Sequence, residues 1–225
     1  MRLLAIDTAT PRIVTGVVET SAGPARTLAA VSHEAATSHA EVLTPAVRQV
    51  AERAGIALGD LDGVVVGLGP GPFTGLRVGI VTAAALGDAL GVPVWGVCTL
   101  DAMAPPSGRV LVVTDARRKE LYFATYHDGV RAGEPSVAVP EDVVSAAAGV
   151  ERVVHAGAER YLDRLGSLGA AEEGFPTPES LVAVAAREGL LGGASSVLQP
   201  IYIRRPDAAE PRERPPLDVV GPTGR

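Results

Sequence analysis

"GLGPGPFTGLRVG" occupies residues 67–79, between two segments of different character. Before and into it runs "GVVVGLG" (63–69), a short continuous apolar run of the kind that forms a buried, parallel strand. After it a helix is expected over about 75–90. A glycine-rich turn from a buried strand into a helix is an α/β feature, and such turns often hold phosphate. This one matches neither nucleotide fingerprint. A Walker A loop needs Lys after its last glycine, and here Leu76 and Arg77 follow Gly75; a Rossmann loop needs a third glycine where Pro72 or Thr74 stands. Pro70 and Pro72 each also remove a backbone donor. The glycines continue into the helix instead: Gly75, Gly79, Ala83 and Gly87 recur at every fourth residue, a ridge almost without side chains. A mid-helix glycine costs roughly 0.8–1 kcal/mol relative to alanine. Such a ridge indicates close approach of another backbone, either the chain's own sheet or another subunit. With Leu76, Ile80 and Leu90 taken as the sheet-facing side, the ridge points outward and becomes a subunit contact.

Upstream, "RLLAID" (2–7) reads as a buried strand delivering Asp7 to its carboxyl end, and 12–20 and 25–33 read as two more strands joined at "SAGP" (21–24). Leu43, Val47, Val50 and Ala54 form one apolar face at the helical period, with Ser38 and Glu41 at capping-box spacing, Pro45 inside and Gly55 as the stop. Downstream, "VPVWGV" (92–97) is a buried strand and "TLDAMA" (99–104) a short helix. Three meandering strands followed by alternating helix and strand is the ribonuclease-H-like order, the repeated unit of the actin, sugar kinase and Hsp70 ATPase superfamily. "PPSG" (105–108) marks a boundary, after which the program restarts in shortened form with Asp115 as the counterpart of Asp7. The expected organisation is an α/β fold of two lobes, 1–104 and 109–205, the last helix (178–191) packing back on the first lobe. Residues 206–225, rich in Pro and charge, are expected to be a mobile tail.

A formal net charge of −6 speaks against a broad nucleic-acid-binding face, although Arg117, Arg118 and Lys119 make a local basic turn. No apolar run reaches the length of a membrane span, the first residues lack the marks of a signal peptide, and Cys98 is the single cysteine, which together point to the cytoplasm. The four histidines include no metal-spaced pair, there is no CxxC, and no G-x-S-x-G supplies a nucleophile, so a metallopeptidase or serine hydrolase has no constellation to stand on. Asp7, Thr8, Thr10 and Asp115 occupy the superfamily's phosphate-loop positions, yet "DTAT" and "DARRK" lack the usual glycine. Two readings of them stay open: a nucleotide site, or turn capping.

The segments "LLAIDTAT", "SHAEVLTP", "GLGPGPFTGLRVG", "TDARRKELYFATY" and "QPIYIRR" occur in an order and spacing that resembles the TsaB (YeaZ) family, over about residues 1–205. Pro72 stands where many members of that family carry Ser. The resemblance implies two ribonuclease-H-like lobes and a non-catalytic scaffold for tRNA threonylcarbamoyladenosine formation. Its implied partners are TsaD, which carries the metal and transfers the threonylcarbamoyl group, the ATPase TsaE within the complex, and a second copy of itself. It implies only indirect contact with tRNA, no membrane, and no cofactor of its own beyond an adenine nucleotide at a subunit junction. The interface expected is His39, Glu41, Leu43, Phe73, Gly75, Leu76, Gly79, Ala83 and Gly87. His39 stands alone where TsaD has two metal histidines. Tyr202 and Arg204 are expected to anchor the chain end against the body. The rival reading is an ATPase or small-molecule kinase of the actin-like superfamily.

Overall fold

The computed structural model describes residues 1–21, 25–34 and 39–204, without the side chains of His39 and Ala40. The Ser38 cap, most of the 21–24 turn, the His39 side chain and the 206–225 tail therefore lie outside the described residues.

β1 (Arg2–Asp7) is buried along its length after Arg2, because it is the middle strand of a five-stranded sheet. β2 (Arg12–Glu19) and β3 (Arg26–Glu34) extend that sheet antiparallel on one side. β4 (Gly63–Gly67) and β5 (Val94–Val97) extend it parallel on the other. Alternation along the strands gives the sheet two apolar faces. Leu4, Ile6, Val64 and Val66 meet α1 (His39–Ala54) and α2 (Phe73–Leu90) through Leu43, Val47, Val50, Leu76, Ile80 and Ala83. Leu3, Ala5, Val65 and Trp95 meet α6 (Pro178–Arg187) through Leu181, Val182, Val184 and Ala185.

The second sheet repeats the first. β6 (Arg109–Asp115) is central, β7 (Leu121–His127) lies antiparallel beside it, and β10 (Arg152–Ala156) and β11 (Ala170–Glu173) follow in parallel on its other side. The third strand of the meander is split into β8 (Val130–Arg131) and β9 (Ser136–Ala138), with Gly133 and Pro135 between them. α4 (Pro140–Ala146) covers one face. After β10 a 3-10 turn leads into α5 (Leu162–Leu165), a single turn. β11, "AAEE", was not anticipated: it is exposed at every position, so no alternation announces it.

The third helix of each lobe is exchanged. α3 (Thr99–Met103), which follows the first sheet, buries Leu100 and Met103 on Val110, Val112 and Tyr126 of the second. α6, which follows the second, covers the first. A polar lock fixes the exchange: Asp101 of α3 accepts hydrogen bonds from Tyr126 (2.6 Å) and from Arg131 (2.9 and 3.0 Å to its two oxygens), almost wholly out of water. The chain then runs as a strap beside β5, with Trp95 Nε1 donating to the Ala194 carbonyl and Ser196 N–H to that of Val94. It continues over the end of β4, where Ile201 N–H donates to the Leu68 carbonyl, and reaches the second lobe through Arg204, which donates to the Ala116 carbonyl at 2.7 Å and pairs with Glu120.

Candidate partner interface

Three of the glycines of 67–79 make room for the end of β1 and the turn after it. A Cβ on Gly67 would lie 1.8 Å from Asp7 Oδ2, one on Gly71 would lie 2.3 Å from the Ala9 carbonyl oxygen, and one on Gly79 would lie 2.2 Å from Thr8 Oγ1. The loop and the start of α2 are thus pressed onto Asp7, Thr8 and Ala9. Thr8 completes the contact by donating its hydroxyl to the Gly75 carbonyl at 2.8 Å. Further along the ridge, a Cβ on Gly87 would meet Val94 Cγ2 at 2.2 Å. Close backbone approach is the correct physical reading, but the surface approached is the chain's own.

This corrects the expected interface. Leu43, Gly75, Leu76, Gly79, Ala83 and Gly87 are all buried within the first lobe and present nothing to a partner. At about 100° per residue, Gly75, Leu76, Gly79, Ile80, Ala83 and Gly87 fall within one arc of about 140°, so Leu76 and Ile80 share the buried side with the glycines. The outward side holds Phe73, Arg77, Val81, Ala84, Ala85 and Asp88. Phe73 and Val81 are 40 % and 65 % exposed, and Glu41 of the neighbouring α1 is exposed too. Of the expected interface residues with described side chains, only Phe73 and Glu41 face solvent. Val81, Ala84 and Ala85, absent from the expected interface, complete this outward side.

At the head of α2, Phe73 and Tyr202 stack obliquely with ring centroids 5.2 Å apart. The Arg77 guanidinium lies 3.8 Å over the Phe73 ring, and its Nε donates to Tyr202 Oη at 3.1 Å. Tyr202 and Arg204 do anchor the chain end, and Tyr202 leaves a partly exposed ring on the surface.

The phosphate-loop positions do not fit a nucleotide. Asp7 is fully buried; its Oδ2 accepts from the Thr99 hydroxyl at 2.6 Å and its Oδ1 from Ala9 N–H at 2.9 Å. Burial pushes its carboxyl up to about 6, against the lowering pull of those two hydrogen bonds. Thr8 is committed to Gly75, and Thr10 exchanges hydrogen bonds with the backbone of Arg12. Asp115, on the other sheet, is held by Arg160 at 2.8 and 2.9 Å and by the backbone of Arg117. Asp7, Thr10 and Asp115 thus cap their own turns, while Thr8 ties the turn to the start of α2. Among the described residues no three His, Cys, Asp or Glu side chains come together as a metal site.

Two lobes of identical strand order, their third helices exchanged, place this chain in the actin, sugar kinase and Hsp70 ATPase class of folds, with its first phosphate-loop position packed shut. A family model described as "TsaD: tRNA N6-adenosine threonylcarbamoyltransferase" matches residues 30–199. YeaZ from Pseudomonas aeruginosa superposes with a TM-score of 0.74 at 29 % identity, covering 89 % of this chain and 99 % of that one. The Escherichia coli protein named "tRNA threonylcarbamoyladenosine biosynthesis protein TsaB" is 34 % identical over 148 residues, 62 % of either chain. An uncharacterized Mycobacterium leprae protein is 46 % identical over 207 residues, 92 % of this chain and 55 % of that protein, so this chain spans about half of that relative's length. The chain belongs to the TsaB (YeaZ) family.

By length and composition, α2 is the one helix among the described residues that is long and apolar enough to cross a membrane, against the expectation that no run reaches that length. Its glycine side is sealed on the first sheet.

Proposed function

We propose that this chain is a non-catalytic scaffold subunit of the cytoplasmic machinery that forms threonylcarbamoyladenosine beside the tRNA anticodon. It binds a TsaD-type transferase through the outer face of α2 and the adjoining start of α1, and has no cofactor of its own. The observation that carries this is the outer side of α2. An 18-residue helix with 33 % of its length buried leaves Val81, Ala84 and Ala85 in water, flanked by Phe73 and Arg77. Small residues in an outward stripe let a partner helix approach to the short end of the usual 8–10 Å interaxial range. Phe73 and Arg77 are residue types enriched where interfaces concentrate their binding energy. The same stripe is self-complementary enough for a second copy to occupy it when the transferase is absent. The closed turn at Asp7 argues against the rival ATPase or kinase reading, because the Asp7 carboxylate, the Thr8 hydroxyl and the Ala9 N–H are all engaged within the chain. TsaE would join through the assembled pair.

Light scattering on the chain mixed with the TsaD-type protein of its own organism tests this. A one-to-one complex is expected with the natural chain, and none with Val81→Arg, whose thermal melt should be unchanged because the site is exposed. Absence of a complex with the natural chain, or an undiminished one with Val81→Arg, would refute the proposal.

A further inference from the structure

Three consecutive side-chain-bearing residues at the β6–β7 turn hold a conformation that glycine adopts freely and L-residues rarely do. Arg117, Arg118 and Lys119 have φ of 61°, 52° and 65°. All three are exposed. The turn beneath them is braced: Ala116 N–H donates to the Glu120 carbonyl and Glu120 N–H to that of Arg117, both at 3.0 Å, while Arg204 ties both ends from the strap. The two nearby carboxylates are occupied, Asp115 by Arg160 and Glu120 by Arg204. Among the described residues neither Arg117 nor Lys119 has an ion-pair partner. A strained backbone that persists points to a use for what it displays. What it displays here is a row of cations on a chain whose net charge is −6.

The strap connects this turn to the aromatic pair. Two residues, at most about 7 Å of chain, separate Tyr202 from Arg204. One strap thus carries both the brace of the cationic turn, through Arg204, and a partly exposed ring, Tyr202. Cations follow a phosphodiester backbone, and exposed rings stack unpaired bases.

We propose that the 116–120 turn and the Tyr202 ring together bind RNA directly, the cations on phosphates and the ring on an unpaired base, with Phe73 left to the transferase contact. Choosing RNA among polyanions rests on the reading that the chain serves a tRNA-modifying assembly, and replaces the indirect contact expected from the family resemblance.

The probe is a fluorescent RNA hairpin with an unpaired loop, titrated with the full chain at about 50 and about 200 mM salt. The natural chain should bind at the lower salt. Arg117→Glu with Lys119→Glu should weaken binding at least about tenfold, and the salt slope should fall by about 1.4, the value for two single-strand phosphate contacts. Lys119→Gly relieves the backbone while removing a charge, so its melting temperature should rise as its RNA affinity falls, which separates binding from fold integrity. Tyr202→Ala should weaken binding to the looped hairpin and leave binding to a blunt duplex unchanged. No binding by the natural chain at the lower salt, or unchanged binding by the charge-reversed variant, would overturn the inference. So would polyglutamate competing as well as RNA, which would assign the turn to an acidic protein. Association with the TsaD-type partner is measured on the same proteins. A natural chain that assembles without binding RNA overturns this inference alone, and one that does not assemble overturns the reading it rests on.

Discussion

Replacing Gly79 with alanine separates an inward from an outward glycine ridge by the sign of its effect. An outward ridge would gain the helix-propensity difference, about 1 kcal/mol of stability. In the structure the new Cβ would lie 2.2 Å from Thr8 Oγ1 and 3.3 Å from Thr8 Cβ and Cγ2. Thr8 is 1 % exposed and hydrogen-bonded to Gly75, so it has nowhere to turn. Overpacking of this kind costs about 1–3 kcal/mol. Losing the buried Thr8 hydroxyl bond adds about 1 kcal/mol. Less the propensity gain, Gly79→Ala should destabilise by about 1–3 kcal/mol. Urea unfolding, with slope and midpoint fitted separately, measures it. In a Thr8→Ala background the clash is largely gone, and the same substitution should become neutral or stabilising by up to about 1 kcal/mol. A stabilised Gly79→Ala single variant would refute the packing argument.

Other consequences follow from the same contacts. Asp7 titrates at about 6 in the folded chain against 3.8 unfolded, so folding takes up a proton in that window. Its contribution to stability therefore improves as pH falls from about 6 to about 4, by up to about 3 kcal/mol. Asp7→Asn cannot titrate, so the stability difference between it and the natural chain should change across that range and be flat above pH 7, read by urea unfolding at several pH values. Gly67→Ala would set its Cβ 1.8 Å from Asp7 Oδ2 and 2.7 Å from Thr99 Oγ1, so at least about 3 kcal/mol should be lost, seen as a large drop in melting temperature. Arg131→Met leaves Asp101 buried with Tyr126 alone, and because Arg131 is itself a quarter exposed, a loss of about 2–3 kcal/mol is expected by denaturant titration.

The strand order was legible because buried parallel strands announce themselves: "LLAID", "GVVVG" and "VLVVT" are unbroken apolar runs, and the meander strands lie at short spacing around them. β11 was not legible, since an edge strand of Ala and Glu carries neither alternation nor β-branched residues. The glycine spacing correctly signalled close approach. Its direction was misjudged because α2 is apolar nearly all round, so composition alone does not tell its two sides apart. Only the angular positions of Leu76 and Ile80, taken with the sheet contacts, do so. That α3 leaves its own lobe for the second sheet was also out of reach. "TLDAM" shows a helix to be buried, while its choice of sheet depends on Leu100, Met103 and Tyr126 meeting across the molecule. The polar lock at Asp101 escaped notice for the same reason, since its partners lie 25 and 30 residues away in sequence.

The central claim, that the outer face of α2 makes this chain a working scaffold, is tested most directly by reconstitution. Purified transferase, the ATPase, threonylcarbamoyl adenylate and unmodified tRNA are incubated with the natural chain, with Val81→Arg, or with neither, and the digested tRNA is examined by mass spectrometry. The account predicts threonylcarbamoyladenosine with the natural chain, and little or none with Val81→Arg or without the chain. Equal product in all three reactions would contradict it.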